Sequence, residues 1–176
     1  MAYKALYLFV EGDDDELFAR TVISPPLSKR YDWIVTFQYA QKKPARVSSY
    51  LRNIKAMGAD YFLLGDINSY SCFPEKKQDL LKRFTELEGG RVIIVVKEVE
   101  GWYLAGVPAN NPWGVRVPAD TANLTKEQFD AALPKPFNSR TSYMVEILKL
   151  FDVDAAGARN PTFKYFARRC GLTADW

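Results

Sequence analysis

The sequence predicts an α/β fold in which a mainly parallel sheet is flanked by helices. Two observations predict it. Short apolar runs rich in Val, Ile, Phe and Tyr alternate with segments whose apolar residues recur at helical spacing. Each apolar run also ends abruptly in polar or turn residues, as buried strands do. Strands that alternate with helices join through right-handed crossovers, and the ligand site of such a sheet lies beyond the carboxyl ends of its strands.

Four apolar runs predict the strands. The first, residues 4–10, is bounded by Glu11-Gly12 and fits a strand buried on both faces. The second covers residues 33–39, where large apolar residues alternate with polar ones. Residues 61–64 and 91–96 predict the third and fourth strands.

Helices are predicted between these strands. The first follows Asp13, which we expect to cap it, and Ser24-Pro25-Pro26 is expected to end it because proline disfavours helix in the preceding residue. The second begins after Pro44 and ends at Gly58. Residues 80–87 mark the third, before two glycines.

The chain changes character after residue 106. Residues 107–136 are rich in Pro, Asn and Ala with little periodicity, which predicts a boundary or a long surface connection. Apolar residues at helical spacing follow. We therefore predict an α/β core over residues 1–106, and over residues 107–176 a connecting loop and a small helical extension packed on that core.

Composition excludes several kinds of chemistry. The 176 residues include no histidine, which excludes Ser/His/Asp triads, Cys/His pairs and His-ligated metal sites. The two cysteines, Cys72 and Cys170, are too few for an all-cysteine zinc site or a disulfide framework, and we interpret them as inert or buried thiols. The first apolar run is too short for a signal peptide or a membrane span, so a soluble cytoplasmic protein is expected.

Acidic and amide side chains follow three of the four predicted strands. Side chains two residues apart on an extended backbone point to the same side, and residues four apart share one face of a helical turn. Glu98 and Glu100, after the fourth strand, point to the same side if that strand continues through them. Three pairs are then gathered along one edge of the sheet: Glu11 with Asp15, Asp66 with Asn68, and Glu98 with Glu100.

Hard oxygen ligands without imidazole or thiolate select Mg²⁺ or Mn²⁺ over zinc. Such a metal binds phosphate oxygens and lowers the pKa of an attacking water. Lys97, beside the acids after the fourth strand, would neutralise charge on a scissile phosphate. The pattern therefore favours phosphoryl transfer.

The same motifs resemble the Toprim fold, especially the Toprim-like domains of the overcoming-lysogenization-defect (OLD) nucleases and of small bacterial relatives. The similarity rests on Glu11-Gly12 with Asp15, on Leu-Gly-Asp-Ile-Asn at 64–68, and on Lys-Glu-Val-Glu-Gly-Trp at 97–102. It covers roughly the first hundred residues, the span of one compact domain. The resemblance implies a Rossmann-like, Toprim-like sheet and a metal-dependent nuclease.

Residue by residue, the resemblance implies that Glu11 serves in acid or base catalysis or binds metal, with Asp15 as the acid that follows it. It implies metal binding by Asp66 and Asn68, and by Glu98 or Glu100. The family usually has a second aspartate where this chain has Asn68, which offers a carbonyl oxygen but no charge. Weaker divalent-metal binding is the expected consequence.

Basic residues predict contact with nucleic acid. Residues 29–55 hold many bases and one acid, and a second acid-free basic stretch lies near the C-terminus. Arg46, Arg52 and Lys164 are the candidates to position phosphates without identifying bases. The chain has no Walker-type glycine loop, so any ATPase partner would be a separate protein.

Two alternatives remain open. One is a non-catalytic module that binds nucleic acid or protein through a degraded Toprim site, which Asn68 motivates. The other, less favoured, is a receiver-like domain with Asp66 as phosphoacceptor, although the lysine follows the fourth strand and not the fifth. Asp13, Asp14 and Glu16 are interpreted as ordinary helix-start acids.

Overall fold

The computed structural model describes residues 3–67 and 69–172, and it divides the chain into two compact units, Met1–Ile94 and Val95–Trp176. The division comes at the end of the fourth strand, whereas the sequence predicts a core that extends to residue 106. The helix after this strand explains the difference. Its Trp102 packs against Phe163 and Phe166 of the second unit, with ring centroids 5.4 and 5.2 Å apart.

A four-stranded sheet with the order β2-β1-β3-β4 organises the first unit. Strand β1 pairs in parallel with β2 on one side and with β3 on the other. The predicted α/β class with a mainly parallel sheet flanked by helices is confirmed. The strands are β1 (Ala5–Val10), β2 (Trp33–Gln38), β3 (Asp60–Asp66) and β4 (Val92–Val95).

The helical segment after β1 differs from its prediction at both ends. Helix α1 (Asp13–Phe18) is capped by Gly12, whose N–H donates to the Asp15 carboxylate at 3.2 Å, so Asp13 is not the cap. A π-helical turn (Ala19–Ile23) and α2 (Ser24–Leu27) continue it. The two prolines do not end the helix because they occupy the first turn of α2, where the N–H that proline lacks needs no partner.

Two longer helices complete the first unit. Helix α3 (Pro44–Ala56) begins at its predicted proline, and Gly58 follows it with a left-handed φ of 65°. Helix α4 (Phe73–Arg83) ends before Leu87, the last residue of its predicted stripe. The core contains fully buried side chains from β1, β3, α3 and α4. They include Phe9, Leu51, Ile54, Leu63 and Leu80.

Helices and the loops that join them make up nearly all of the second unit that the structure describes, in agreement with the predicted C-terminal helical extension. Its helices are α5 (Glu100–Ala105), α6 (Lys126–Ala131), α7 (Arg140–Lys149), α8 (Val153–Arg159) and α9 (Pro161–Cys170). Helix α6 lies inside the predicted surface connection, capped by Thr125 and Gln128. That segment also buries Val107 and Phe129, so it is not a surface loop throughout. None of the described helices is both long enough and apolar enough to span a membrane.

Gly101 on α5 lies where no side chain fits. A Cβ at this position would stand 2.7 Å from the Thr121 carbonyl oxygen, and the Thr121 backbone is held by its N–H, which donates to the Arg159 carbonyl at 3.0 Å. We expect Gly101→Ala to lower the free energy of unfolding by about 2 kcal/mol, because overpacking against fixed backbone costs this much. Urea denaturation measures the change.

Gly89→Ala is the matched control for that substitution. Its Cβ would meet the flexible end of Lys77 at 3.2 Å, which can move. An unfolding midpoint that falls equally for both variants would contradict the packing explanation.

Tyr143 on α7 is fully buried among aromatic rings, and its hydroxyl has no hydrogen-bond partner among the described residues. Burial raises its pKa to about 12. The ordinary pKa of a tyrosine is about 10, so above pH 10 the Tyr143 hydroxyl loses its proton in the unfolded chain before it does in the folded one. The free energy of unfolding is therefore unaffected below pH 10 and falls between pH 10 and pH 12. We expect Tyr143→Phe to be neutral or stabilising at pH 7 and to remove part of this alkaline loss, about 1.4 kcal/mol at pH 11.

Urea midpoints at pH 7 and pH 11 test this expectation. The same substitution at exposed Tyr165 should leave the difference between the two pH values in place. A Tyr143→Phe variant that loses as much stability as the parent between pH 7 and pH 11 would contradict it.

Candidate active site at the carboxyl edge of the sheet

Glu11, the residue directly after β1, is the centre of a hydrogen-bond cluster. Its Oε1 accepts from the Tyr39 hydroxyl at 3.1 Å and from the Asp66 backbone N–H at 3.1 Å. The Lys76 Nζ lies 3.7 Å from the same oxygen. One carboxylate therefore joins groups that are far apart in the sequence.

The topology of the sheet explains why these residues meet. Tyr39 follows β2, Glu11 follows β1 and Asp66 ends β3, and these strands are neighbours in the sheet. The chain winds from β1 to β2 on one side and continues with β3 on the other. This makes the gap between β1 and β3 a topological switch point, where parallel α/β sheets bind ligands. Glu11 and the Asp66 N–H face each other across that gap.

Gly65 keeps the edge open. A Cβ on this residue would stand 3.1 Å from the Tyr39 hydroxyl and 3.6 Å from Glu11 Oε1. It would also press on Leu80 at 3.2 Å. The glycine before Asp66 therefore allows the tyrosine and the glutamate to approach the backbone of β3.

Tyr39 remains a neutral hydrogen-bond donor over a wide pH range. Burial raises the pKa of its hydroxyl well above the ordinary value, and the charge and hydrogen bond of Glu11 raise it further. The charges of Asp66 and Asp15 act in the same direction. The charges of three carboxylates thus act on one phenol, two from the ends of strands and one from the first turn of α1.

Lys76 balances part of this negative charge. The side chain is buried, with 7% of the residue exposed, and its Nζ lies 5.1 Å from the centre of the Tyr70 ring. A buried ammonium needs a charged partner, and Glu11 supplies one. Sequence reasoning missed both Lys76 and Tyr39. Their positions in the chain could have identified them. Lys76 lies one turn into the helix after β3, and Tyr39 directly follows β2.

The carboxylate oxygens at this edge of the sheet are suitable ligands for a divalent cation. No group of three or more Asp, Glu or Cys side chains within residues 3–67 and 69–172 is arranged to hold a metal alone. Mg²⁺, however, is usually held by one or two carboxylates together with waters and substrate phosphates. Glu11, Asp15 and Asp66 supply such oxygens. Asn68, a predicted ligand, lies outside the described residues.

The predicted residues after β4 belong to the second unit, and both glutamates have partners there. Strand β4 stops at Val95, and Lys97 has a left-handed φ of 57°, so the strand does not continue and Glu98 and Glu100 are not an alternating strand pair. Glu98 accepts a hydrogen bond from the Lys126 N–H. Glu100 is buried at the start of α5, with Oε1 3.7 Å from Arg140 Nε.

The predicted phosphate-binding residues differ in their surroundings. Arg46 is exposed on the first turn of α3, and Lys164 is exposed on α9. Arg52 forms an ion pair with Glu86 at 3.0 Å, so its charge is partly balanced within the first unit. Of the two cysteines, Cys170 is buried and Cys72 is exposed.

Glu16, interpreted from the sequence as an ordinary helix-start acid, has a structural role that links two elements. It accepts hydrogen bonds from Thr36 at 2.7 Å, from Gln38 at 2.6 Å and from Arg20. The Thr36 bond is the largest cause that lowers the pKa of Glu16, with Gln38 and Arg20 adding to it and burial opposing them. This acid ties α1 to β2.

The comparisons with known proteins give one structural similarity. A comparison with protein-family models gives no match, and neither does one with curated protein sequences. Among solved structures, the chain is similar to the C-terminal region of the Burkholderia pseudomallei OLD protein, with a TM-score of 0.43, 12% sequence identity and 94% of each chain covered.

Proposed function

We propose that the chain is a Toprim-like, metal-dependent phosphoryl-transfer protein that acts as a nuclease. The observation that supports this most is the contact between Glu11 Oε1 and the Asp66 N–H across the switch point of a parallel sheet. Carboxylates at such a position, without histidine anywhere in the chain, suit chemistry on a phosphate through a hard cation.

In this proposal Glu11 and Asp66 hold Mg²⁺ or Mn²⁺ together with waters and substrate phosphate, and Asp15 and Asn68 complete the shell around the cation. The bound cation would stabilise charge on the phosphoryl group and lower the pKa of the attacking water. Glu11 would serve as the general base for that water or as a ligand of the cation, and the Tyr39 O–H donates to its carboxylate. Lys76 limits repulsion among the acids before substrate binds.

Further residues enter the proposal from the sequence pattern. The predicted Lys97, Glu98 and Glu100 are left out of this site, because they belong to the second unit, where Glu98 accepts from the Lys126 N–H and Glu100 lies beside Arg140. Arg46, Arg52 and Lys164 attract the phosphate backbone without identifying its bases. The proposed partner is therefore nucleic acid in general.

Incubation with supercoiled plasmid, single-stranded DNA and RNA in Mg²⁺ or Mn²⁺ tests the proposal. We expect cleavage of at least one substrate, complete loss in EDTA and loss in Asp66→Ala. Cleavage that persists in Asp66→Ala would exclude the proposed site, and absence of cleavage on every substrate would exclude the nuclease.

The non-catalytic module is the second candidate, and the contact between Lys76 and Glu11 favours it. An ammonium beside the central carboxylate supplies positive charge that a divalent cation would otherwise supply. This candidate predicts no measurable Mg²⁺ binding and the same nucleic-acid affinity in Glu11→Ala as in the parent. Titration calorimetry with Mg²⁺ distinguishes the two functions.

A further inference from the structure

The opposite, amino edge of the same sheet carries a cleft of about 740 Å³ within the first unit. It lies where β1 and β3 begin, beside the turn that ends α3. Its volume is in the range of small-ligand sites. The residues that line it are Tyr3, Lys4, Ala5, Lys29, Arg30, Tyr31, Met57, Gly58 and Asp60.

The cleft has an excess of positive charge. Lys4, Lys29 and Arg30 contribute three cations. The one carboxylate among the lining residues, Asp60, is already engaged: Arg91 contacts its Oδ1 at 2.9 Å, and the Tyr31 hydroxyl donates to its Oδ2 at 2.9 Å. A second carboxylate, Asp32, lies beside the cleft and accepts from the Lys4 backbone N–H at 2.9 Å, so an anionic ligand would meet three cations against two engaged acids.

Large apolar side chains are exposed at the same place. Tyr3 is 67% exposed and Met57 is 63% exposed, and both line the cleft. Trp33, 58% exposed, begins β2 directly opposite Ala5, another lining residue. Exposed aromatic rings among cations are typical of surfaces on which unpaired bases stack while their phosphates contact basic side chains.

We propose that this cleft binds single-stranded nucleic acid, with phosphates at Lys4, Lys29 and Arg30 and bases stacked on Tyr3 and Trp33. A duplex keeps its bases stacked on one another, so the aromatic contacts select for a single strand. The six residues of β1 separate the cleft from Glu11 by about 20 Å. The site is thus distinct from the proposed catalytic edge, and its binding requires no metal.

Fluorescence anisotropy in EDTA, with labelled oligo-dT, oligo-U and duplex DNA, tests this cleft without any cleavage. We expect single strands to bind more tightly than duplex. Lys29→Glu/Arg30→Glu should weaken single-strand binding about tenfold or more and reduce the salt slope by about 1.4, the value for two lost phosphate contacts. Tyr3→Ala should weaken it at least about fivefold and leave the salt slope unchanged, because stacking releases no counterions.

Lys82→Glu/Lys135→Glu is the matched control, since it makes the same change in net charge at two exposed positions outside the cleft. It should retain most of the affinity. Circular dichroism checks that each variant is folded. The single variant Lys29→Glu serves as a milder test, because it keeps Arg30 in place, 5.8 Å from the centre of the Tyr31 ring. Equal losses in the control, equal affinity for duplex and single strand, or no binding by the parent would each overturn the proposal. The Glu11→Gln variant should bind single strands in EDTA as tightly as the parent does. A failure of the cleft proposal can therefore be distinguished from a failure of the proposed catalytic site.

Discussion

Glu11→Gln is expected to lower metal-dependent cleavage at least about a hundredfold. The substitution keeps the size of the side chain but removes its charge and its ability to accept a proton, and general-base catalysis contributes about 10²–10⁴-fold. It also places an amide beside the Lys76 ammonium and the Asp66 N–H, both of which require an acceptor. The initial rate of cleavage, measured on the best substrate of the plasmid, DNA and RNA series, gives the effect.

Glu16→Gln is the control for this substitution. It makes the same chemical change five residues away, at an acid whose hydrogen bonds to Thr36 and Gln38 serve the fold. We expect it to lower stability modestly and to retain cleavage. If the two variants lose activity to the same extent, Glu11 has no special role.

Lys76→Met is expected to destabilise the metal-free protein by about 2 kcal/mol, the usual cost when a partly buried polar group loses one of its partners. Asp15 and Asp66 lie close enough to influence the same tyrosine, so the three acids then repel one another with less compensation. A divalent cation can replace the missing charge. We therefore expect Mg²⁺ to stabilise Lys76→Met more than it stabilises the parent, as measured by urea denaturation with and without the metal.

Lys77→Met, the same change at the next residue, provides the comparison. Lys77 is only partly buried and its side-chain end lies near Gly89. We expect a small change that Mg²⁺ does not reverse. A Lys76→Met variant whose stability is equally low in Mg²⁺ and in EDTA would show that the lysine does not balance a metal-binding set of carboxylates.

The sheet was predictable because its strands carry strong local signals. Residues 4–10 and 91–96 are apolar runs with sharp ends, and β1 and β4 lie within them. The helix after β1 was harder, since a π-helical turn shifts the backbone before Pro25 and Pro26 and makes both prolines acceptable. Short-range rules on proline do not detect such a shift.

The candidate site was predictable only in part. Glu11 and Asp66 end strands, and acids at strand ends can be seen in the sequence. Lys76 and Tyr39 become part of the site through packing. Lys76 lies in α4 and Tyr39 directly follows β2, and neither belongs to a sequence motif. The alternation predicted for Glu98 and Glu100 depended on a strand that the left-handed backbone at Lys97 ends.

Binding of Mn²⁺, followed by the loss of its free-ion electron paramagnetic resonance signal, tests most directly whether the carboxylates at the ends of β1 and β3 form a cation site. We predict that the parent and Glu16→Gln bind Mn²⁺ alike, that Glu11→Gln and Asp66→Asn lose this binding, and that Lys76→Met binds more tightly. Mn²⁺ bound equally by the parent, Glu11→Gln and Asp66→Asn would contradict the site, as would no binding by any of them.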